Sequence, residues 1–296
     1  MRSPSLIVVP AVGVLASCAV GSVVSDGDSD AAALARGGQP AFANAARLTI
    51  AGGVGSGTLI APEWVLTAAH VVTDNAGVPL ATGAMTVTVN GESRSVAQIV
   101  ARPGWTGANY TAGFDLALVR LAAPVVSAAP TARLGGDVLA GTEVTVVGYG
   151  AFGFGSTGLT VPPGSLRAVS NAYDGPGSSF FPSWSPSLAL MDFDAPGTDA
   201  FNRSGGGATG FEGSIAIGDS GGGSFVLIDG AWRLVGVHSF TFTTSAGAAA
   251  PFGYGTGSAD VLVAAHAAWI ESVIPAPGTA VTLGLCATLG VRRRRT

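Results

Sequence analysis

The stretch Gly218-Asp219-Ser220-Gly221-Gly222-Gly223-Ser224-Phe225-Val226-Leu227-Ile228 decides the fold, because the residues after Ser220 separate two architectures. Glycine reaches backbone angles closed to other residues, so this run can turn sharply and aim successive N–H groups at one point. Ser220 then stands as a candidate nucleophile. Its own N–H and that of Gly218 are the donors for a developing oxyanion. The run also satisfies Gly-x-Ser-x-Gly, which in an α/β-hydrolase needs a strand before the serine, a helix after it and the order Ser, Asp, His. Three glycines are a poor helix start, and Ser224 to Ile228 reads as a strand. Asp260 and His266 could complete the order only from one short helix. The α/β reading fails, and an all-β reading takes its place.

Working outward, Asp229-Gly230 turns Ser224–Ile228 into a hairpin whose return is Trp232 to Ser239. Met85-Thr86-Val87-Thr88-Val89 alternates apolar and polar residues and ends in Asn90-Gly91, the strongest short hairpin signal, with Ser95 to Val100 returning. Trp64–Thr67, Leu116–Leu121 and Glu143–Tyr149 are further strands. Only Ala259 to Val273 reads as a helix, with Val261, Leu262, Ala265, Trp269, Ile270 and Val273 at helical spacing. Short strands without a βαβ rhythm predict sandwiches or barrels.

Composition narrows the chemistry. The chain has 296 residues, 48% hydrophobic and 11% charged, room for one large all-β domain or two small ones. Every basic residue is arginine, which excludes a Ser-Lys dyad, a Schiff-base lysine and a P-loop lysine. Setting aside Arg2 and Arg292 to Arg295, nine arginines face eighteen acidic residues, which argues against a nucleic-acid partner. Cys18 and Cys286 lie in terminal apolar segments, so the central part has no disulfide, thiolate nucleophile or Cys-ligated zinc. No cofactor or metal is expected.

Three histidines are available as a base. His70 closes Leu66-Thr67-Ala68-Ala69-His70, where small neighbours let an imidazole lie against backbone. Asp115 opens the apolar run Leu116-Ala117-Leu118, and a carboxylate there is costly to bury without a partner such as His70 Nδ1–H. Ser220, His70 and Asp115 together make an acyl-transfer triad in the order His, Asp, Ser. His238 and His266 are read as structural.

These segments resemble the trypsin/chymotrypsin-type serine proteases from about residue 45 to 273. The resemblance is carried by Gly57-Thr58-Leu59-Ile60, Leu66 to His70, Asp115 to Leu118, Gly148-Tyr149-Gly150, Gly218 to Gly222, Leu234-Val235-Gly236-Val237 and Trp269-Ile270. It implies two packed antiparallel six-stranded β-barrels with a C-terminal helix and a protein or peptide substrate. The catalytic residues would be His70, Asp115 and Ser220, in the cleft between the barrels, with Gly218 and Ser220 as the oxyanion hole. By ungapped resemblance Ser214 lies at the base of the substrate pocket, with Ser239, Phe240 and Thr241 as its wall. Without an aspartate at that base, small or apolar side chains are expected there; Glu212 is the acid that a loop shift would bring inward. Gly223 replaces the usual proline. The family's α-amino partner for Asp219 has no Ile-Val-Gly-Gly-type source, leaving cleavage after Arg36 or ordering without a new terminus. A catalytically silent binding module on the same scaffold is the alternative, kept by that gap and by the long insert Ser178 to Ser214.

The ends read as sorting signals. Residues 1–25 form a signal peptide, with Leu15-Ala16-Ser17-Cys18 similar to a lipobox and cleavage after Ala19 as the other option. Residues 26–44 are expected as a flexible leader, 45–274 as the protease domain and 275–296 as a sorting or membrane-anchor segment. Pro275-Ala276-Pro277-Gly278, an apolar run to Val291 and four arginines resemble a PEP-CTERM signal, with alanine where glutamate is usual. That run would be about 20 Å long as a helix, short of the ~30 Å bilayer core. The expectation is an exported protein of the envelope or medium, held at a membrane at least transiently and cut by a sorting transpeptidase.

Overall fold

The computed structural model describes residues 22–274 apart from 134–135, 137, 139, 198–206 and 244–247. Its strands, in chain order, are β1 (Val23–Val24), β2 (Ala45–Ile50), β3 (Gly53–Ala61), β4 (Trp64–Thr67), β5 (Met85–Val89), β6 (Glu92–Ala101), β7 (Ala117–Leu121), β8 (Ala132–Arg133) and β9 (Glu143–Gly148). They continue with β10 (Phe152–Phe154), β11 (Gly158–Val161), β12 (Arg167–Ala172), β13 (Gly175–Pro176), β14 (Leu188–Asp192), β15 (Gly213–Ser214), β16 (Gly223–Ile228), β17 (Ala231–Thr243) and β18 (Thr256–Leu262). The helices are α1 (Asp30–Gly37), α2 (Ala69–Val72), α3 (Gly177–Phe180) and α4 (Ala267–Val273).

The first half closes into a barrel in the order β2-β3-β4-β7-β6-β5. Its hairpins follow from turn chemistry. Asn90 and Gly91 both have positive φ (44° and 81°), the pair of angles whose twist matches flanking strands, and Asp229-Gly230 repeats this between β16 and β17. Alternation in β5 buries Met85, Val87 and Val89 beside Leu48, Leu59, Leu66 and Leu118 in the barrel core. In the second half hydrogen bonds join β12-β9-β16-β17-β18-β14-β13, with β8 added to β17. A four-stranded sheet, β11-β10-β1-β15, stands beside it because β15 pairs with the incoming chain at β1. Val144, Val146, Val169, Met191, Val226 and Val235 form the core of this half.

Three expectations need correction. The helix anticipated over 259–273 is a strand up to Leu262, paired with β17 and β14. A 3-10 turn, Ala264–His266, and the short α4 follow. β18 is buried on both faces up to Val261, so no alternation of apolar and polar residues marks it as a strand. The anticipated leader 26–44 is folded. Ser29 Oγ caps α1 by accepting from Ala32 N–H, and Arg167 pairs with Asp30. Phe42 packs on Phe225 and Trp232. The helix-forming run Asp30-Ala-Ala-Ala-Leu-Ala-Arg hides this role behind a low-complexity composition. Finally, Ser22 to Ser25, anticipated as the end of the signal segment, are buried, with Val23 and Val24 paired between β10 and β15. The chain divides into two units at Ala265/His266, and the described part of the second contains α4. Among the described residues no helix is long and apolar enough to cross a membrane. Cys18 and the tail 275–296 lie outside the described residues.

Candidate active site

β4 delivers His70. The strand ends at Thr67, Ala68 and Ala69 are fully buried, and α2 begins there, so backbone and imidazole both reach one carboxylate. Asp115 Oδ1 accepts from His70 N–H at 2.8 Å, and Oδ2 lies 2.7 Å from His70 Nδ1. Asp115 is completely buried just before β7, which pairs with β4, and Ser239 Oγ gives it a third hydrogen bond at 2.6 Å. A carboxylate opposite Nδ1 fixes the proton on that nitrogen and leaves Nε2 as the acceptor. Nε2 makes no hydrogen bond among the described residues.

Ser220 is held from two sides. Ser56, on β3, donates its N–H to Ser220 O at 2.9 Å and its Oγ to Gly218 O at 2.7 Å. From β17, His238 O accepts from Gly221 N–H at 2.8 Å, and His238 N–H donates to Gly222 O at 3.0 Å. Gly218 and Gly221 have φ of +93° and +82°, and a Cβ on Gly221 would fall 2.0 Å from Thr67 Oγ1. Glycine is therefore required there by both angle and space. The N–H groups of Gly218 and Ser220 have no acceptor among the described residues.

Asp219 anchors this loop from below. Its carboxylate is fully buried and accepts from Gly150 N–H (2.9 Å), Ala216 N–H (3.1 Å) and Ser22 Oγ (3.2 Å). Burial pushes its carboxyl up, and the charge of His238 and these donors oppose that only in part. His238 is also fully buried and reaches Asp260 Oδ1 at 2.8 Å. The other oxygen of Asp260 takes Tyr173 OH at 2.7 Å and Ser224 Oγ at 2.5 Å. Burial pulls the His238 imidazole down, but the facing Asp260, the nearby Asp219 and the Val147 carbonyl together outweigh it and the net shift is upward. Of this buried histidine–carboxylate pair beneath Ser220, sequence reasoning yields only a structural histidine. The cue lies in strand pairing: His238 and Asp260 are register partners on two strands of one hairpin.

The anticipated pocket residues fall into different environments. Ser214 is fully buried on β15, opposite Val23. Ser239 sends its hydroxyl to Asp115 and not into a pocket wall. Phe240 is buried in an aromatic cluster with Tyr110, Trp184 and Phe242, and Tyr110 sets its ring edge against His70 at 5.6 Å between centroids. Thr241 continues β17 nearly buried. Glu212 is buried and accepts from Thr209 N–H and Oγ1; burial pushes its carboxyl up to about 8. The insert thus has a visible job: Trp184 and Phe181 build the aromatic wall, and Ser185 N–H bonds Thr111 O beside Tyr110. Among the described residues no group of three His, Cys, Asp or Glu side chains is placed to hold a metal ion.

The profile described as Trypsin matches residues 35–261. This chain belongs to the trypsin family. Chymotrypsin-like elastase family member 1 of dog is 40% identical over 72 residues, 23% of this chain and 28% of the relative. The cat counterpart is 44% identical over 69 residues, 22% and 26%. The chain thus spans about a quarter of the length of the curated relatives it matches. Among solved structures, neuropsin, a serine protease expressed in the limbic system of mouse brain, superposes with a TM-score of 0.58 at 19% identity, covering 80% of this chain and 96% of that one. The shared fold thus covers 80% of this chain, whereas the pairwise sequence match to the dog relative covers 23% of it.

Proposed function

We propose that the protein is an exported serine endopeptidase in which Ser220 is the nucleophile, His70 the general base and Asp115 its orienter. The observation that carries this reading is the pairing of His70 with a fully buried Asp115, which leaves Nε2 free, beside a serine loop whose two oxyanion donors are unoccupied. His70 Nε2 takes the Ser220 proton as Oγ attacks the scissile carbonyl. The Gly218 and Ser220 N–H groups receive the oxyanion, and the imidazolium, stabilised by Asp115, returns the proton to the leaving amine. Water then releases the acyl group by the same route. Ser220→Ala or His70→Ala should each lower kcat by about 10⁶ and the double variant little further, since the residues act as a unit. Near-normal peptidase activity of purified Ser220→Ala would refute the assignment. Absence of labelling of the wild-type serine by a fluorophosphonate would favour a silent scaffold.

Ser214 at the pocket base offers a hydroxyl and no carboxylate, and the carboxyl of Glu212 is engaged by Thr209. An arginine or lysine side chain would be buried there unpaired. The substrates are therefore proteins or peptides cut after small or apolar residues, and a library profile dominated by Arg or Lys overturns this. The protein is assigned to the envelope or the medium: the leader ends before Ser22, the protease domain extends to about residue 274, and 275–296 is a PEP-CTERM-like tail. A transpeptidase cut near Pro275 to Gly278 would release or transfer the domain. An intact mass ending at Thr296 would refute that processing.

A further inference from the structure

The two oxyanion donors of the Ser220 loop take their direction from the carbonyls behind them. A trans peptide points its N–H opposite to its C=O. Ile217 O accepts from Ala151 N–H at 3.2 Å, which turns the Gly218 N–H away from Ala151. Asp219 O accepts from Gly222 N–H at 2.7 Å, which turns the Ser220 N–H away from Gly222. Between these two peptides lies a third, joining Gly218 to Asp219, and it must point the other way for both donors to converge. Its N–H reaches Ala216 O at 3.1 Å. Its carbonyl is held by a side chain of the first barrel: Ser56 Oγ, on β3, donates to Gly218 O at 2.7 Å. Gly218, at φ +93°, has no Cβ to resist rotation of this peptide.

Ser56 is itself held so that this contact follows. It is 1% exposed, and each of its polar groups is engaged. Its N–H donates to Ser220 O at 2.9 Å, and its carbonyl accepts from Thr67 Oγ1 at 2.7 Å. Its Oγ accepts from Tyr149 N–H at 2.8 Å. That amide takes one lone pair of the hydroxyl, and the hydroxyl proton is left for Gly218 O. Among the described residues no other group donates to that oxygen. We propose that Ser56 is a positioning residue for the reaction: its hydroxyl fixes the Gly218–Asp219 peptide and so keeps the Gly218 and Ser220 N–H groups convergent on the oxyanion. Donors fixed in advance need no reorientation as charge develops. Thr67 ends β4, the strand that delivers His70, and β4 pairs with β3. One pair of strands therefore ties the base and the oxyanion donors to a common frame.

The inference rests on the endopeptidase reading for its kinetic consequence, and one feature of the sequence makes it testable separately. Ser56→Ala removes the hydroxyl, and Ser56→Cys keeps the size of the side chain with a weaker donor. On an amide substrate kcat should fall on the order of tenfold for Ser56→Ala, the scale of one buried hydrogen bond, and by less for Ser56→Cys. KM should stay nearly unchanged, because the donors engage the transition state. Exhaustive fluorophosphonate labelling counts the folded sites in each preparation. The acid limb of the pH profile, set by His70, should not move, since the hydrogen bonds of the His70–Asp115 pair do not involve Ser56. A wild-type kcat in the variants, a loss carried by KM or a shifted limb each overturns the proposal. Ile217-Gly218 is the only Ile-Gly pair in the chain. Protein carrying heavy carbon at the isoleucine carbonyls and heavy nitrogen at glycine therefore isolates the Gly218 amide in a carbonyl-filtered magnetic resonance spectrum. The wild type should give a single sharp line, and Ser56→Ala should broaden it or add a second line as the freed peptide rotates. A line as sharp as that of the wild type overturns the proposal. Where Ser56→Ala does not fold, Ser56→Cys carries both measurements with the same outcomes. A wild-type protein that takes up no fluorophosphonate, while its sharp Gly218 line is still lost in Ser56→Ala, would count against the endopeptidase reading alone.

Discussion

Asp260→Ala removes the one carboxylate that three buried donors share. Asp260, His238 and Ser224 are fully buried, and Tyr173 nearly so. The bonds at stake are 2.8 Å to His238 Nδ1, 2.7 Å from Tyr173 OH and 2.5 Å from Ser224 Oγ. Hydrogen bonds to a charged group are worth about 1.5–3 kcal/mol each, but water entering the space recovers part of that. Removing one partner of a buried ion pair costs about 3–5 kcal/mol, so the expected loss is about 4 kcal/mol. His238→Leu should cost a similar amount, because it strands Asp260. The double variant should cost little more than either single change, giving a coupling of at least about 2 kcal/mol in a double-mutant cycle. Urea unfolding followed by circular dichroism supplies all four values. The pH dependence adds a second reading. The His238 pKa is raised in the folded protein, so the stability it contributes is complete below the unfolded value near 6.5 and is lost as pH rises through the raised folded value. Wild-type stability should fall across that alkaline window, and His238→Leu should remove that part of the slope. Additive single costs with an unchanged slope would show that the two residues do not act as an ion pair.

Ser239→Ala removes one of three donors to Asp115, and kcat/KM should fall about tenfold through kcat; an unchanged kcat in steady-state assays would dismiss Ser239 as a positioning residue. Glu212 has its folded pKa raised to about 8, so the folded state holds a proton that the unfolded chain has released. Stability should therefore decline as pH rises from about 4.5 towards 8. Glu212→Gln should flatten that decline in thermal unfolding scans across the window, and a retained slope would place its origin elsewhere.

Much of the site was legible in one dimension because local chemistry dictates it. Glycines around Ser220 specify a tight turn, Asn90-Gly91 and Asp229-Gly230 specify hairpins, and the small residues before His70 specify a close backbone approach. Each of these signals acts over a few residues, and each survives in the folded chain at the same positions. What the sequence could not display are pairings between distant segments. Asp260 lies 22 residues from His238 and 87 from Tyr173, and only the meeting of β17 with β18 reveals that it serves both. The 259–262 segment carries helical spacing of apolar residues, yet two flanking strands recruit it into the sheet, since burial on both faces outweighs weak local preference. Ser22 looks like the end of a signal sequence; its contact with Asp219, 197 residues away, exists only in three dimensions. Local conformational preference wrote the turns and the nucleophile loop into the sequence, whereas the burial of charge, which depends on every neighbour at once, was decided by the tertiary structure.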